Sequence, residues 1–148
     1  MTAPMVYILF PGTAREALTF YADVFGGELS LHTNSDFGSG GPPGAIAHGV
    51  LDGVVTLAGA DAGRQEKSVQ VQGVMLSLLG TAEPSLLHEW FAQLSDGGRI
   101  VDPLAPKAWG SSDGQVVDRY GLHWLIGYEP AAASAVKSAT EGNGLHES

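Results

Sequence analysis

The pattern of hydrophobic and polar residues predicts one order of elements twice in succession: a strand, a helix and then three strands. Short apolar runs that end at Gly, Pro, Asn or Asp predict strands, and apolar residues at every third or fourth position predict helices. In the first half, a helix is predicted at residues 14–25 and strands at residues 5–10, 28–33, 45–51 and 54–59. In the second half, a helix is predicted after Pro84 and strands at residues 69–79, 99–102, 115–118 and 122–128.

Polar residues before each predicted helix indicate where it begins. Thr13 has the position of an N-cap, and Glu16 three residues later completes a capping box. Thr81 is the N-cap candidate of the second helix, and Pro84 suits its first turn.

The two halves also share residues at equivalent places. Phe20-Tyr21 and Gly26-Gly27 of the first half recur as Trp90-Phe91 and Gly97-Gly98, and the turn Asp52-Gly53 recurs as Tyr120-Gly121. A unit of this kind leaves one sheet face bare, so two copies are expected to enclose a cleft. The predicted fold is α+β, with two tandem βαβββ modules that form cupped mixed or antiparallel sheets with the helices on the outer face.

The predicted domain covers residues 4–129, with module one at about 4–62 and module two at about 68–129. Residues 34–44 and 103–113 are predicted loops, the first of them mobile. The small and polar residues at 130–148 predict a flexible tail.

Composition excludes several classes of function. The 148 residues contain no cysteine, which excludes disulfides, thiolate zinc sites and a cysteine nucleophile. Sixteen acidic residues against seven Lys and Arg give a formal charge of −9, which disfavours nucleic-acid binding. The amino terminus has no basic and apolar leader, and no apolar run approaches the roughly 20 residues of a membrane span. We therefore expect a soluble, cytoplasmic protein with no membrane partner.

Three stretches match the pattern of a known family. They are the first helix with its glycines, Ala17-Leu18-Thr19-Phe20-Tyr21-Ala22-Asp23-Val24-Phe25-Gly26-Gly27-Glu28-Leu29; then Ala47-His48-Gly49-Val50-Leu51-Asp52-Gly53; and Trp109-Gly110 through Asp118-Arg119-Tyr120-Gly121-Leu122-His123-Trp124. Together with the βαβββ order, they resemble the vicinal-oxygen-chelate superfamily of glyoxalase I, extradiol dioxygenases and bleomycin-resistance proteins. The third stretch is similar to the PhnB-like branch, often labelled 3-demethylubiquinone methyltransferase-like. Methyltransferase activity is not expected, because no glycine-rich cofactor loop joins a strand to a helix.

The resemblance implies where a metal would bind. In metal enzymes of the superfamily, the ligands come from the first and last strands of each half, and the matching positions here are Val6, Thr56, Gly73 and Leu125. Only Thr56 carries a donor atom, and a metal enzyme needs three or four His or carboxylate ligands. The usual divalent metal site is therefore predicted to be missing, and no cofactor is predicted. A divalent metal at a displaced site made by His48, His123 and Asp118 stays open as an alternative.

His48 is the candidate catalytic residue. If Leu51 pairs with Val55 in a hairpin, His48 lies opposite Ala58, on the cleft face together with Thr56. There a neutral imidazole acts as a general base or orients a ligand. The alternative is a hydrogen-bonded structural histidine.

Thr56, Ser77, Trp109 and His123 are the candidate ligand-binding residues. His123 has the parity of Leu125 on the last strand, although a histidine at the start of a strand more commonly has a structural role. Trp109 is a loop aromatic that forms a stacking wall for a flat ligand, or else covers the hydrophobic core.

Three functions follow as hypotheses. The first is a binding module for a small, mostly apolar or flat ligand without the usual metal site. The second is a glyoxalase-type lyase or isomerase that uses a displaced metal, and the third is a dimeric scaffold without catalysis. Whether the protein is an enzyme is left open, and the resemblance implies a homodimer.

Overall fold

The computed structural model describes residues 3–130 of the chain. The chain forms two compact units, Met1–Gly73 (unit 1) and Val74–Ser148 (unit 2). Within the described residues, each unit holds a four-stranded mixed sheet and follows the βαβββ order, which confirms the predicted α+β fold. Of the predicted tail, residues 131–148 lie outside the described part.

Unit 1 begins with a strand and a long helix. Its elements are β1 (Tyr7–Phe10), α1 (Ala14–Phe25), β2 (Glu28–Thr33), a short helix α2 (Asn34–Phe37), β3 (Ile46–Asp52) and β4 (Leu57–Asp61). The strand order in the sheet is β1-β4-β3-β2, with β1 parallel to β4 and the other pairs antiparallel.

Helix α1 covers one face of this sheet. Its buried residues recur at helical spacing: Ala14, Ala17, Leu18, Tyr21, Val24 and Phe25. Ile8, Phe10, Leu51 and Leu57 are buried on the strands. A side chain at Gly49 would collide with Leu18, because an added Cβ would lie 2.7 Å from the Leu18 Cδ1 atom. Gly49 therefore allows α1 to lie close against β3.

Unit 2 repeats this arrangement. Its elements are β5 (Leu76–Leu79), α3 (Pro84–Ser95), β6 (Arg99–Pro106), β7 (Ser112–Val117) and β8 (His123–Tyr128). The strand order is β5-β8-β7-β6, with β5 parallel to β8. Helix α3 buries Leu87, Trp90, Phe91 and Leu94, and the strands bury Val116, Trp124 and Ile126.

The predicted N-cap of the first helix is the right residue without the predicted capping box, and the predicted N-cap of the second helix is wrong. Thr13 is the N-cap of α1. Thr13 makes no side-chain cap hydrogen bond, and the backbone N–H of Ala14 instead donates to Asp61 Oδ1 of β4 at 2.8 Å. Helix α3 has Glu83 at its N-cap rather than Thr81, whereas Pro84 does occupy the first turn. A carboxylate from a distant strand competes with the local hydroxyl, and only the tertiary fold brings it there.

Two predicted loops contain regular structure. Residues 34–37 of the predicted loop 34–44 form α2, because the Thr33 side chain accepts a hydrogen bond from the Asp36 N–H and the Asp36 side chain accepts one from the Thr33 N–H. The predicted loop 103–113 belongs to β6 up to Pro106 and to β7 from Ser112. Strand β6 is irregular and has two register shifts opposite β7, which explains why its sequence lacks a strand pattern.

Candidate functional site

Each unit has a sheet face directed away from its long helix, which we call the far face. Strand register shows which residues lie on the far face. Side chains alternate between the two faces of a sheet along each strand, and directly paired residues of neighbouring strands lie on the same face. The far face of unit 1 carries Tyr7, Leu9, Ser30, His32, His48, Val50, Ala58 and Ala60. The far face of unit 2 carries Ser77, Leu79, Asp113, Gln115, Val117, His123 and Leu125.

A hydrogen-bonded pair of rings lies on the far face of unit 1. The Tyr7 hydroxyl is 2.9 Å from His48 Nδ1, and the two rings stack with centroids 5.6 Å apart and planes 17° apart. Tyr7 is on β1 and His48 on β3, so the pair reaches across the intervening strand β4. Strand β4 presents Ala58 and Ala60 to this face, and both are buried. These small side chains leave room for the rings above the strand.

The Tyr7 hydroxyl keeps its proton at neutral pH. Partial burial raises the pKa of Tyr7, because it disfavours the charged phenolate, and the negative charge of Glu66 raises it further. A protonated hydroxyl is a hydrogen-bond donor, and an unprotonated imidazole nitrogen is its acceptor.

A second ring pair lies next to His48. His32 of β2 is directly opposite His48 of β3, and the His32 ring stacks on Phe37 of α2 with centroids 5.4 Å apart. The capping box of α2 holds Phe37 in this place. Hydrogen bonds from the Thr33 backbone and then from its side chain lower the pKa of Asp36, so its carboxylate is charged.

Polar side chains also lie on the far face of unit 2. His123 Nε2 and Gln115 Oε1 are 2.9 Å apart, and Ser77 of β5 pairs with Leu125 of β8. Asp102, which pairs with Gln115, accepts a hydrogen bond from Lys107 Nζ at 2.7 Å. The Lys107 side chain is 17% exposed, so this ion pair is partly shielded from water.

The structure places the predicted site residues as follows. His48 is on the far face of unit 1, and Ser77 and His123 are on the far face of unit 2. Thr56 precedes β4, and its hydroxyl donates to the Gly53 carbonyl oxygen at 3.3 Å within the turn. Trp109 lies in the turn between β6 and β7 and is 72% exposed, so in unit 2 it does not plug the core.

The predicted register of the first hairpin is wrong, although its parity is right. Leu51 pairs with Leu57 rather than with Val55, since the connection is longer than expected. The difference is two residues, and a shift by two leaves every side chain on its original face. His48 therefore reaches the expected face.

Tyr7 was missed by the sequence reasoning. Val6 matches a metal-ligand position of the superfamily, so alternation along the strand predicts that Ile8 and Phe10 also face the cleft and that Tyr7 faces the helices. Instead, Ile8 and Phe10 are buried in the core and Tyr7 is 48% exposed on the far face. All residues of this strand are apolar or aromatic, so polarity does not show which face is buried. The one available signal is the hydroxyl of Tyr7, the single polar side-chain atom in β1.

The donor groups in each unit do not fit a divalent metal. Val6 and Gly73 lie outside the strands, and neither has a donor side chain, nor does Leu125. Among residues 3–130, no group of three or more His, Cys, Asp or Glu side chains is arranged to hold an ion. Asp118 is 3% exposed, and its oxygens accept hydrogen bonds from the Tyr120 and Leu122 N–H groups and from the Trp124 indole. Its carboxylate therefore organises the β7–β8 turn.

No helix in the described range 3–130 has both the length and the apolar character needed to cross a bilayer.

Comparison with known families agrees with this architecture. The family model described as Glyoxalase/Bleomycin resistance protein/Dioxygenase superfamily matches residues 5–126. The chain belongs to this superfamily. Among curated proteins, none matches the sequence significantly.

Solved structures of the glyoxalase superfamily and its PhnB-like members resemble the chain over most of its length. Protein PA1353 from Pseudomonas aeruginosa is 28% identical, with a TM-score of 0.75 over 87% of this chain and 98% of its own. A putative 3-demethylubiquinone-9 3-methyltransferase, PhnB protein, from Bacillus cereus is 21% identical, with a TM-score of 0.68 over 86% of this chain and 99% of its own. TioX from Micromonospora sp. ML1 is also 21% identical, with a TM-score of 0.54 over 86% and 99%. The resemblance inferred from the sequence is thus confirmed.

Proposed function

We propose that this glyoxalase-superfamily protein binds a small, flat and mostly apolar molecule on the far face of unit 1, without the usual divalent metal. The observation that carries the proposal is the Tyr7–His48 pair above Ala58 and Ala60. Small-molecule sites are mostly apolar surfaces with a few well-placed polar groups, and this face combines such a pair with Leu9 and Val50.

The composition of the pair favours a flat ligand. Aromatic ligands stack on aromatic side chains in offset or edge-to-face arrangements. Tyr7 and His48 supply one set of ring surfaces, and His32 with Phe37 supplies another next to it. Phe37 is 55% exposed, so part of its ring surface is open to stacking by a flat ligand.

A thermal-shift screen with planar aromatic fragments tests this proposal. At a concentration about 100 times the dissociation constant, a ligand stabilises the native state by about 2.7 kcal/mol, which raises the melting temperature by several degrees. We expect His48→Ala to abolish this rise while lowering the free energy of unfolding of the unliganded protein by less than about 1 kcal/mol.

His88→Ala is the matched control. His88 of α3 also contacts a tyrosine hydroxyl, that of Tyr128 at 2.9 Å, but it lies on the helix side of unit 2. We expect this variant to keep the full ligand-induced rise. Equal loss of the rise in both variants, or no stabilising fragment for the wild-type protein, would contradict the proposal.

A further inference from the structure

We propose that Tyr7 fixes His48 in the tautomer that carries its proton on Nε2, so that His48 offers an N–H donor to a neutral carbonyl oxygen of the ligand. This inference rests on the proposed function and adds the chemical class of the ligand and a positioning role for Tyr7.

The first step is the direction of the Tyr7–His48 hydrogen bond. Of the two groups, a phenol hydroxyl is the better donor and an unprotonated imidazole nitrogen the better acceptor, and the atoms are 2.9 Å apart. Burial of Tyr7 and the charge of Glu66 keep the hydroxyl protonated. Tyr7 therefore donates to Nδ1, and the proton of a neutral His48 is on Nε2.

The second step is what remains for a ligand. A neutral imidazole has one lone pair in the ring plane, and here Tyr7 occupies it. His48 then has no free lone pair with which to act as a general base. Its remaining polar function is the Nε2–H group, which requires an oxygen or nitrogen acceptor on the ligand.

The third step is the charge of that acceptor. Strands β1, β2, β3 and β4 contain no Lys or Arg, so the sheet has no Lys or Arg side chain to pair with a carboxylate of the ligand. Glu28 and Asp52 form a directly opposed pair at one end of the face, and the charge of Glu66 acts on Tyr7. An anionic ligand would be repelled here, whereas an amide, ketone or similar neutral carbonyl accepts the same hydrogen bond at no such cost.

Long-range ¹H–¹⁵N NMR of the imidazoles tests the positioning role directly. We expect the neutral form of His48 in the wild-type protein to carry its proton on Nε2 alone, and Tyr7→Phe to give a mixture of both tautomers. A proton on Nδ1 in the wild-type protein, or no change in Tyr7→Phe, overturns the inference.

His88 provides an internal control for this measurement. Its contact with the Tyr128 hydroxyl involves Nε2 instead of Nδ1, so the same reasoning predicts a proton on Nδ1. Tyr128→Phe is expected to change the His88 signals and leave those of His48 unaltered.

Three naphthalene derivatives test the ligand class: 2-naphthamide, 2-naphthoate and 2-naphthylmethylamine. We expect the neutral amide to bind most tightly, to shift the His48 Nε2–H signals, and to lose about threefold to tenfold in affinity in Tyr7→Phe, the range for one hydrogen bond. Tighter binding of the carboxylate or the amine, or no shift of His48 by the amide, overturns the ligand class. Failure of the proposed function looks different, because then no fragment stabilises the wild-type protein more than His48→Ala.

Discussion

At the scale of single residues, Tyr7 shows how the environment of a side chain changes its chemistry. Its hydroxyl contacts His48 Nδ1, and both burial and the charge of Glu66 raise its pKa above the ordinary value of 10.0. Since the folded state holds this proton more firmly than the unfolded state, stability that is complete below pH 10 is lost as the pH rises through the raised pKa.

Alkaline titration checks this statement. The difference in absorbance at about 295 nm between the wild-type protein and Tyr7→Phe follows Tyr7 alone, and its midpoint is expected above pH 10. Glu66→Gln is expected to move the midpoint down toward 10, because the nearby negative charge is gone. A midpoint of 10 or below in the wild-type protein would show that neither effect operates.

Asp118 illustrates a buried charge with a structural role. It accepts hydrogen bonds from two backbone N–H groups and from the Trp124 indole, whose ring is itself buried. Deletion of the carboxylate removes the acceptor that these three donors share in a buried environment.

We expect Asp118→Ala to lower the free energy of unfolding by about 3 kcal/mol, which is the range for breaking a buried charged network. Asp118→Asn is expected to cost less, since the amide retains one acceptor oxygen. Asp96→Ala serves as the control, because its side chain is exposed and its ion pair with Arg119 is expected to contribute less than about 1 kcal/mol. Urea denaturation of the three variants measures the differences, and equal costs for Asp118→Ala and Asp96→Ala would refute the role.

At the scale of elements, Asp61 connects three pieces of unit 1. From β4 it accepts the Ala14 N–H at the start of α1 through Oδ1 and the Ile46 N–H at the start of β3 through Oδ2, both at 2.8 Å. The negative charge also lies at the positive end of the α1 dipole. This carboxylate does what the sequence assigned to Thr13.

Substitution separates the two assignments. Asp61→Ala is expected to lower the free energy of unfolding by about 2–3 kcal/mol, since two N–H groups lose their acceptor. Thr13→Ala is expected to change it by less than about 0.5 kcal/mol, because Thr13 makes no cap hydrogen bond. If chemical denaturation showed the larger loss for Thr13→Ala, the local capping box would be the true cap.

The repeated glycine pairs have a shared explanation at this scale. After α1, Gly27 has a φ of +110°, and an added Cβ would lie 2.7 Å from the Asp52 carbonyl oxygen. After α3, a Cβ on Gly98 would collide with the Val117 carbonyl oxygen and with Asp118. In both units the chain leaving the helix passes against the end of the adjacent hairpin, so the sequence repeat reflects one packing requirement.

At the scale of the whole molecule, the chain belongs to the glyoxalase superfamily and carries a formal charge of −9. Its resemblance to that superfamily supports the proposal that two copies form a homodimer. Each unit by itself exposes apolar side chains that would leave water on contact with a partner, such as Met5 in unit 1 and Ile100 in unit 2.

Size-exclusion chromatography with light scattering measures the state of the full chain. We expect a mass twice the 15.3 kDa of one chain, unchanged at low protein concentration. A mass of a single chain across the concentration range would contradict the dimer.

The sequence by itself determined the superfamily and the order and type of the elements, with the exception of the short helix α2. Amphipathic spacing predicted α1 and α3, and the repeated glycines and aromatics revealed the two βαβββ units. These signals are local, because each depends on residues within one helix, strand or turn.

Only the tertiary structure decided how side chains from different elements meet. The uniformly apolar β1 gives no sign of which face is buried, so the pairing of Tyr7 with His48 across β4 follows from sheet register alone. Likewise, the fold places Asp61 of β4 at the start of α1, so its carboxylate accepts the hydrogen bond there and the Thr13 hydroxyl does not. Both depend on contacts between residues more than 40 positions apart, which no local pattern in a single sequence encodes.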